Sequence, residues 1–146
     1  MAIKYINISF LLILLILIFS GHIASLTVGE YYKIWWADVV LHFSGGLWTG
    51  LFVLWFMFNS GRAPFEAKKL PLYILIIAIL SFTALIGVFW EFFEFILDEI
   101  TGYKSYSAKV ALENFKDTIG DLFFDLLGAL TNVVFLKRKT GHGVSL

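Results

Sequence analysis

The most constraining feature of this chain is the apolar run that ends in Gly87-Val-Phe-Trp-Glu-Phe-Phe-Glu-Phe-Ile-Leu-Asp98, where a hydrocarbon-like helix abruptly carries the carboxylates of Glu91, Glu94 and Asp98. Two other hydrophobic segments open in the same manner, one on Asp38-Val-Val-Leu-His42 and one on Asp117-Thr-Ile-Gly-Asp121-Leu-Phe-Phe-Asp125. Ionisable groups inside or beside hydrocarbon cost free energy and mark functional sites by default. With 60% hydrophobic and 15% charged residues, the 146-residue chain is too apolar for a soluble domain. It is long enough for about four spans of roughly 20 residues joined by short loops.

The expected fold is therefore an all-α membrane protein, a four-transmembrane-helix bundle forming one domain. Its spans fall at about residues 6–28, 38–58, 71–99 and 117–136, and residues 137–146 form a disordered tail. The centre of the first span, from Ile8 to Phe19, is apolar on every side, as a lipid-facing helix is. Lys4, this apolar stretch and Ser20-Gly-His-Ile-Ala24 also resemble a secretory signal, but His22 spoils the small-x-small cleavage pattern, so a retained helix is expected. Between the first two spans Tyr31, Tyr32, Trp35 and Trp36 suit a headgroup layer. Gly46-Leu-Trp-Thr-Gly50 offers a small-residue face, read as internal helix packing rather than dimerisation. Asn59-Ser-Gly-Arg-Ala-Pro64 is a turn, Pro71 suits the first turn of the third helix, and Ser107 to Phe115 is expected as a short surface helix.

Lys and Arg set the orientation. With both termini cytoplasmic, the inner side takes Lys4, Arg62, Lys68, Lys69, Lys137, Arg138 and Lys139, against Lys33, Lys104, Lys109 and Lys116 outside. Seven against four places both termini in the cytoplasm of a multi-pass inner-membrane protein. Net charge is zero and no long basic run exists, so nucleic acid is not an expected partner; the lipid bilayer is. Cysteine is absent, which excludes disulfides and thiolate chemistry.

In that orientation all three acidic ends share the outer face. Glu91, Glu94 and Asp98 fall at i, i+3 and i+7, Asp117, Asp121 and Asp125 at i, i+4 and i+8, and Asp38 and His42 one turn apart. At ~1.5 Å per residue, Asp38, Asp98 and Asp117 are level at a rim, His42, Glu94 and Asp121 lie about 6 Å deeper, and Glu91 and Asp125 about 10–12 Å deeper. Seven carboxylates and an imidazole cannot share such a volume uncompensated. A divalent cation is one solution, and an oxygen-rich set with one imidazole suits Mg, Mn, Fe or Zn. Protons shared among the acids, or Lys104, Lys109 or Lys116 folded over the mouth, are the others.

The expected inner set is His42, Glu91, Glu94, Asp121 and Asp125, with Asp38, Asp98 and Asp117 at the rim. Helix capping and interfacial placement account for the rim acids and Glu99 but poorly for the inner set. His22 and His142 are read as structural. No phosphate-binding glycine loop, H-E-x-x-H or G-x-S-x-G is present, and Ser44 points away from His42 on their helix.

The ordered set Asp38-x-x-x-His42-Phe43, Trp90-Glu91-x-x-Glu94 and Asp117-Thr-x-x-Asp121-Leu-x-x-Asp125-x-x-Gly128-Ala129 resembles the small bacterial YjdF-like inner-membrane proteins. More distantly it is similar to the VanZ-like membrane proteins, with Glu94 in place of a Gln and Asp125 in place of an Asn. The resemblance implies a shared membrane scaffold with an outward polar site, and no particular reaction. Three functions stay open: a metal-dependent enzyme acting on lipid or lipid-linked substrates, a proton- or cation-transporting protein, and a non-catalytic accessory protein.

Overall fold

A computed structural model describes residues 6–27, 35–62, 70–101 and 108–140, all helical apart from short connecting ends. The order is α1 (Ile8–Thr27), α2 (Trp35–Phe58), α3 (Leu72–Thr101) and α4 (Ala108–Thr140). Trp36–Phe58 and Leu72–Leu97 are long and apolar enough to cross a membrane, and Ile8–Ala24 is a shorter apolar helix. The aromatic loop at Tyr31 and Tyr32, Lys68 and Lys69, the segment from Tyr103 to Ser107, and the last six positions including His142 lie outside the described residues.

Three helix boundaries differ from the sequence reading, each for a local reason. α2 begins at Trp35, so Asp38 sits in its first turn, where a carboxylate complements the exposed backbone N–H groups. α4 begins at Ala108: with no Gly or Pro between Lys109 and Thr118 to stop it, the surface helix expected over Ser107–Phe115 and the fourth span are one helix. Lys137, Arg138 and Lys139 extend that helix to Thr140, since Lys and Arg are good helix formers and cations favour a helix C-terminus. The tail expected from residue 137 is thus helical for its first four positions.

α2 and α4 run parallel in close contact, and α3 packs antiparallel against both. A Cβ at Gly46 would strike the backbone carbonyl of Asp125, and one at Gly128 would strike that of Phe43. Gly46 and Gly128 let these backbones meet, as small residues do in membrane helix pairs. Gly50 gives room to Asn132, whose side-chain amide donates to the carbonyls of Leu47 at 3.1 Å and Ala129 at 3.2 Å. Gly46 and Gly50 thus serve packing inside the chain. α1 is tied to α2 by the Trp48 indole, which donates to the Leu11 carbonyl at 2.8 Å.

The interior is divided along the bundle axis. At one end Val53, Leu54, Met57, Leu75, Ile79, Ala129 and Val133 form an apolar core. At the other, His22, His42, Asp121 and Asp125 are buried. Meanwhile Phe10, Ile13, Ile16 and Leu17 on α1, Phe89, Phe92, Phe95 and Ile96 on α3, and the stripe Phe115, Ile119, Phe123, Leu127, Leu130 and Val134 on α4 are exposed. So large an apolar exterior around a partly polar interior marks a surface that a membrane or partner covers.

Candidate functional site

His42 is the hub of the polar end. It lies two turns into α2 facing α4 and is only 3% exposed. Its Nδ1 faces Oδ2 of Asp125 at 3.5 Å, the outer limit of a hydrogen bond. Its Nε2 points the other way, 3.7 Å from Oδ1 of Asp38 and 3.8 Å from Oδ1 of Asp121. Both are ion-pair separations, too long for hydrogen bonds, and Nε2 is a buried atom without a hydrogen-bond partner among the described residues.

Asp125 has this position because the neighbouring helices are stripped of side chains around it. Gly45 and Gly46 of α2 border it, and a Cβ on Gly87 of α3 would lie 2.7 Å from its Oδ2. Three glycines therefore make a slot in which one carboxylate reaches the imidazole.

On α3, one turn apart, Glu91 and Glu94 complete the cluster. The Trp90 indole donates to Oε1 of Glu94 at 2.9 Å, which holds that carboxylate across the turn. Oε1 of Glu91 is buried and has no hydrogen-bond partner among the described residues. Two overlapping triads result, Asp38, His42 and Asp121, and His42, Glu91 and Glu94, each with one ligand-type atom per residue within 4.8 Å of the others.

The other four residues of the expected inner set, Glu91, Glu94, Asp121 and Asp125, are thus gathered around the imidazole of His42. Asp38, expected at the rim, reaches Nε2 as closely as Asp121 does. Asp117 lines an open recess with Asp38, Lys116, Gly120 and Asp121 just beyond the cluster. Asp98 is on α3, but its side chain lies outside the described set, as do those of Lys104 and Lys109.

Sequence reasoning missed two neighbours. His22 of α1, read as structural, is buried with its ring 6.4 Å from that of His42 and 4.5 Å from that of Trp90. Thr83 of α3 is 1% exposed and its hydroxyl has no partner among the described residues. A single His or Thr on an apolar helix repeats at no period, so no sequence pattern separates it from packing residues.

Comparison with known proteins adds a family. Residues 2–141 match the model of the family described as "Predicted membrane protein (DUF2238)". An uncharacterized protein of Thermotoga maritima is 32% identical over 113 residues, which cover 77% of this chain and 54% of that one. The chain thus spans about half the length of that curated relative. No solved structure matches it.

Proposed function

Starting from the fact that the chain belongs to this family of predicted membrane proteins, we propose that it is a multi-pass inner-membrane protein whose polar end binds a divalent cation. The YjdF-like resemblance fits the family. The VanZ-like resemblance contributes only the idea of a scaffold with a polar site at one face. In this reading all four helices cross the membrane with both termini cytoplasmic, and the acidic cluster lies near the outer face. The excess of Lys and Arg on the opposite side supports the orientation. The apolar stripe of α4 supports a fourth span despite that helix's charged ends.

One observation carries the cation: His42 Nε2, buried and unpartnered among the described residues, faces two carboxylates at 3.7 and 3.8 Å. Two ligand atoms each about 2.1 Å from a common ion lie about 3–3.4 Å apart, so closing these gaps takes a movement of less than about 1 Å. Asp125 supports the assignment from behind. A histidine ligand commonly gives its other ring N–H to a carboxylate, which fixes the tautomer that frees the coordinating nitrogen. Asp38, His42 and Asp121 would hold the ion, Asp125 would orient the ring, and Glu91 and Glu94 would offer further oxygens. One nitrogen among oxygens suits Mg, Mn, Fe or Zn. A bound cation would supply Lewis acidity toward the phosphate or ester of a lipid or lipid-linked substrate.

A transport path has less support, because the apolar core from Val53 to Met57, closed by Leu75, Ile79 and Val133, fills the other end of the bundle. An accessory role, with polar faces that only specify packing, is separated by experiment. Metal analysis and melting of the detergent-purified full chain with added Mn or Zn test the reading. The expected result is one ion per chain and a rise in stability of about 2.7 kcal/mol at a hundredfold excess over Kd. Absence of stoichiometric metal together with unchanged melting would overturn it.

A further inference from the structure

A second feature adjoins the cluster. Beneath His42 and Asp125, a cavity of about 160 Å³ lies between α1, α2 and α3. Leu15, Ile18 and Phe19 of α1, Trp48 of α2, and Ile86 and Trp90 of α3 give it an apolar wall. Phe19 and Ile86 are also exposed on the outer surface, so the cavity opens sideways between α1 and α3, onto the apolar exterior.

Its inner end is polar, and one group there is unusual. In Thr49, Thr131 and Ser60 the hydroxyl donates to a backbone carbonyl three or four residues earlier, which is how a helix silences such a group. Thr83 lines the cavity without that bond, nearly fully buried and unpartnered among the described residues, so its hydroxyl meets a partner only when the side chain turns it into the cavity. A buried hydroxyl with no partner is costly. Water alone would satisfy Thr83 but leave the apolar wall wet, and plain hydrocarbon would cover the wall but leave Thr83 unsatisfied. An ester-linked acyl chain does both.

We propose that this cavity is a lipid pocket: a membrane phospholipid enters between α1 and α3, lays one acyl chain along Leu15, Ile18 and Ile86, and accepts a hydrogen bond from Thr83 on its ester carbonyl. The proposal deepens the reading of the polar end by naming its substrate class. It rests on that reading only for the place of the headgroup, beside His42 and Asp121.

The test uses the full chain in vesicles of phosphatidylglycerol carrying a photoreactive diazirine on one acyl chain, with adducts mapped by mass spectrometry. Expected are adducts on Leu15 and Ile18, reduced at least severalfold in Thr83→Val and retained in Thr83→Ser. Adducts on the outward-facing Phe10 and Ile13 should stay constant. Should Thr83→Val fail to fold, Ile18→Trp fills the cavity from a partly exposed position and should abolish labelling at Leu15. No labelling of Leu15 above that of Phe10, or labelling indifferent to Thr83→Val or to Ile18→Trp, overturns the pocket. Asp38→Asn, outside the cavity lining, separates the two readings: it should weaken Mn binding at least tenfold yet keep the cavity adducts. In the native chain, adducts without stoichiometric Mn overturn the cation site alone, and Mn binding without adducts overturns the pocket alone.

Discussion

At the scale of the residue, the two imidazole nitrogens of His42 have different surroundings. Nε2 of His42 faces Asp38 and Asp121, whereas Nδ1 faces Asp125. His42→Ala should therefore eliminate the cation-dependent rise in melting temperature, not merely lower the starting stability; the Mn-induced shift, variant against native, is the measurement. Asp125→Asn keeps an acceptor near Nδ1 but removes its charge, and a tenfold to hundredfold weaker Mn affinity is expected in calorimetric titration. The carboxylates that converge here were legible as stripes at helical spacing, since i, i+3, i+4 and i+7 positions share a face whatever the tertiary structure. The partnership of Asp38 with Nε2 was harder to read, because an acid at a helix start looks like an ordinary cap. His22 and Thr83 were not legible at all. Their surroundings come from helices distant in sequence.

Helices show the same division. The apolar runs and the turn at Asn59 to Arg62 were visible in composition and turn chemistry, and so was the small-residue face of α2. Its partner surface was not, because Gly128 and Asn132 lie 78 and 82 positions after Gly50 and nothing in spacing links them. That pairing makes a prediction at the level of the element. Gly128→Ala places a methyl group into the α2 backbone and should destabilise the bundle by about 1–3 kcal/mol or more. Gly120→Ala, on the same helix, meets nothing within 4 Å and should be neutral or stabilising by up to about 1 kcal/mol. Melting of both variants in one detergent checks the contrast. Equal losses would mean that α2 and α4 do not cross where Gly46 and Gly128 place them. The continuity of α4 escaped the sequence reading because Lys109, Glu113 and Lys116 lower its hydropathy without breaking its helix.

For the whole molecule, a bundle with apolar sides, one apolar interior end and one acidic interior end is polar in direction, so its orientation in the membrane decides what reaches the site. The chain has no cysteine, which allows single cysteines to report sidedness. Ser60→Cys, at the turn after α2, and Lys116→Cys, beside the acidic recess, should be labelled by a membrane-impermeant maleimide from opposite sides, with Lys116→Cys accessible from the exterior of intact cells. Labelling of both from one side would contradict the four-span arrangement. The central claim, that an ion is held between Asp38, His42 and Asp121, is tested most directly by pulsed electron paramagnetic resonance of the Mn-loaded full chain. One imidazole nitrogen coupled to the manganese, with the coupling lost in His42→Ala, is the expected result. Manganese that binds without any nitrogen coupling, or that keeps the coupling in His42→Ala, would contradict it.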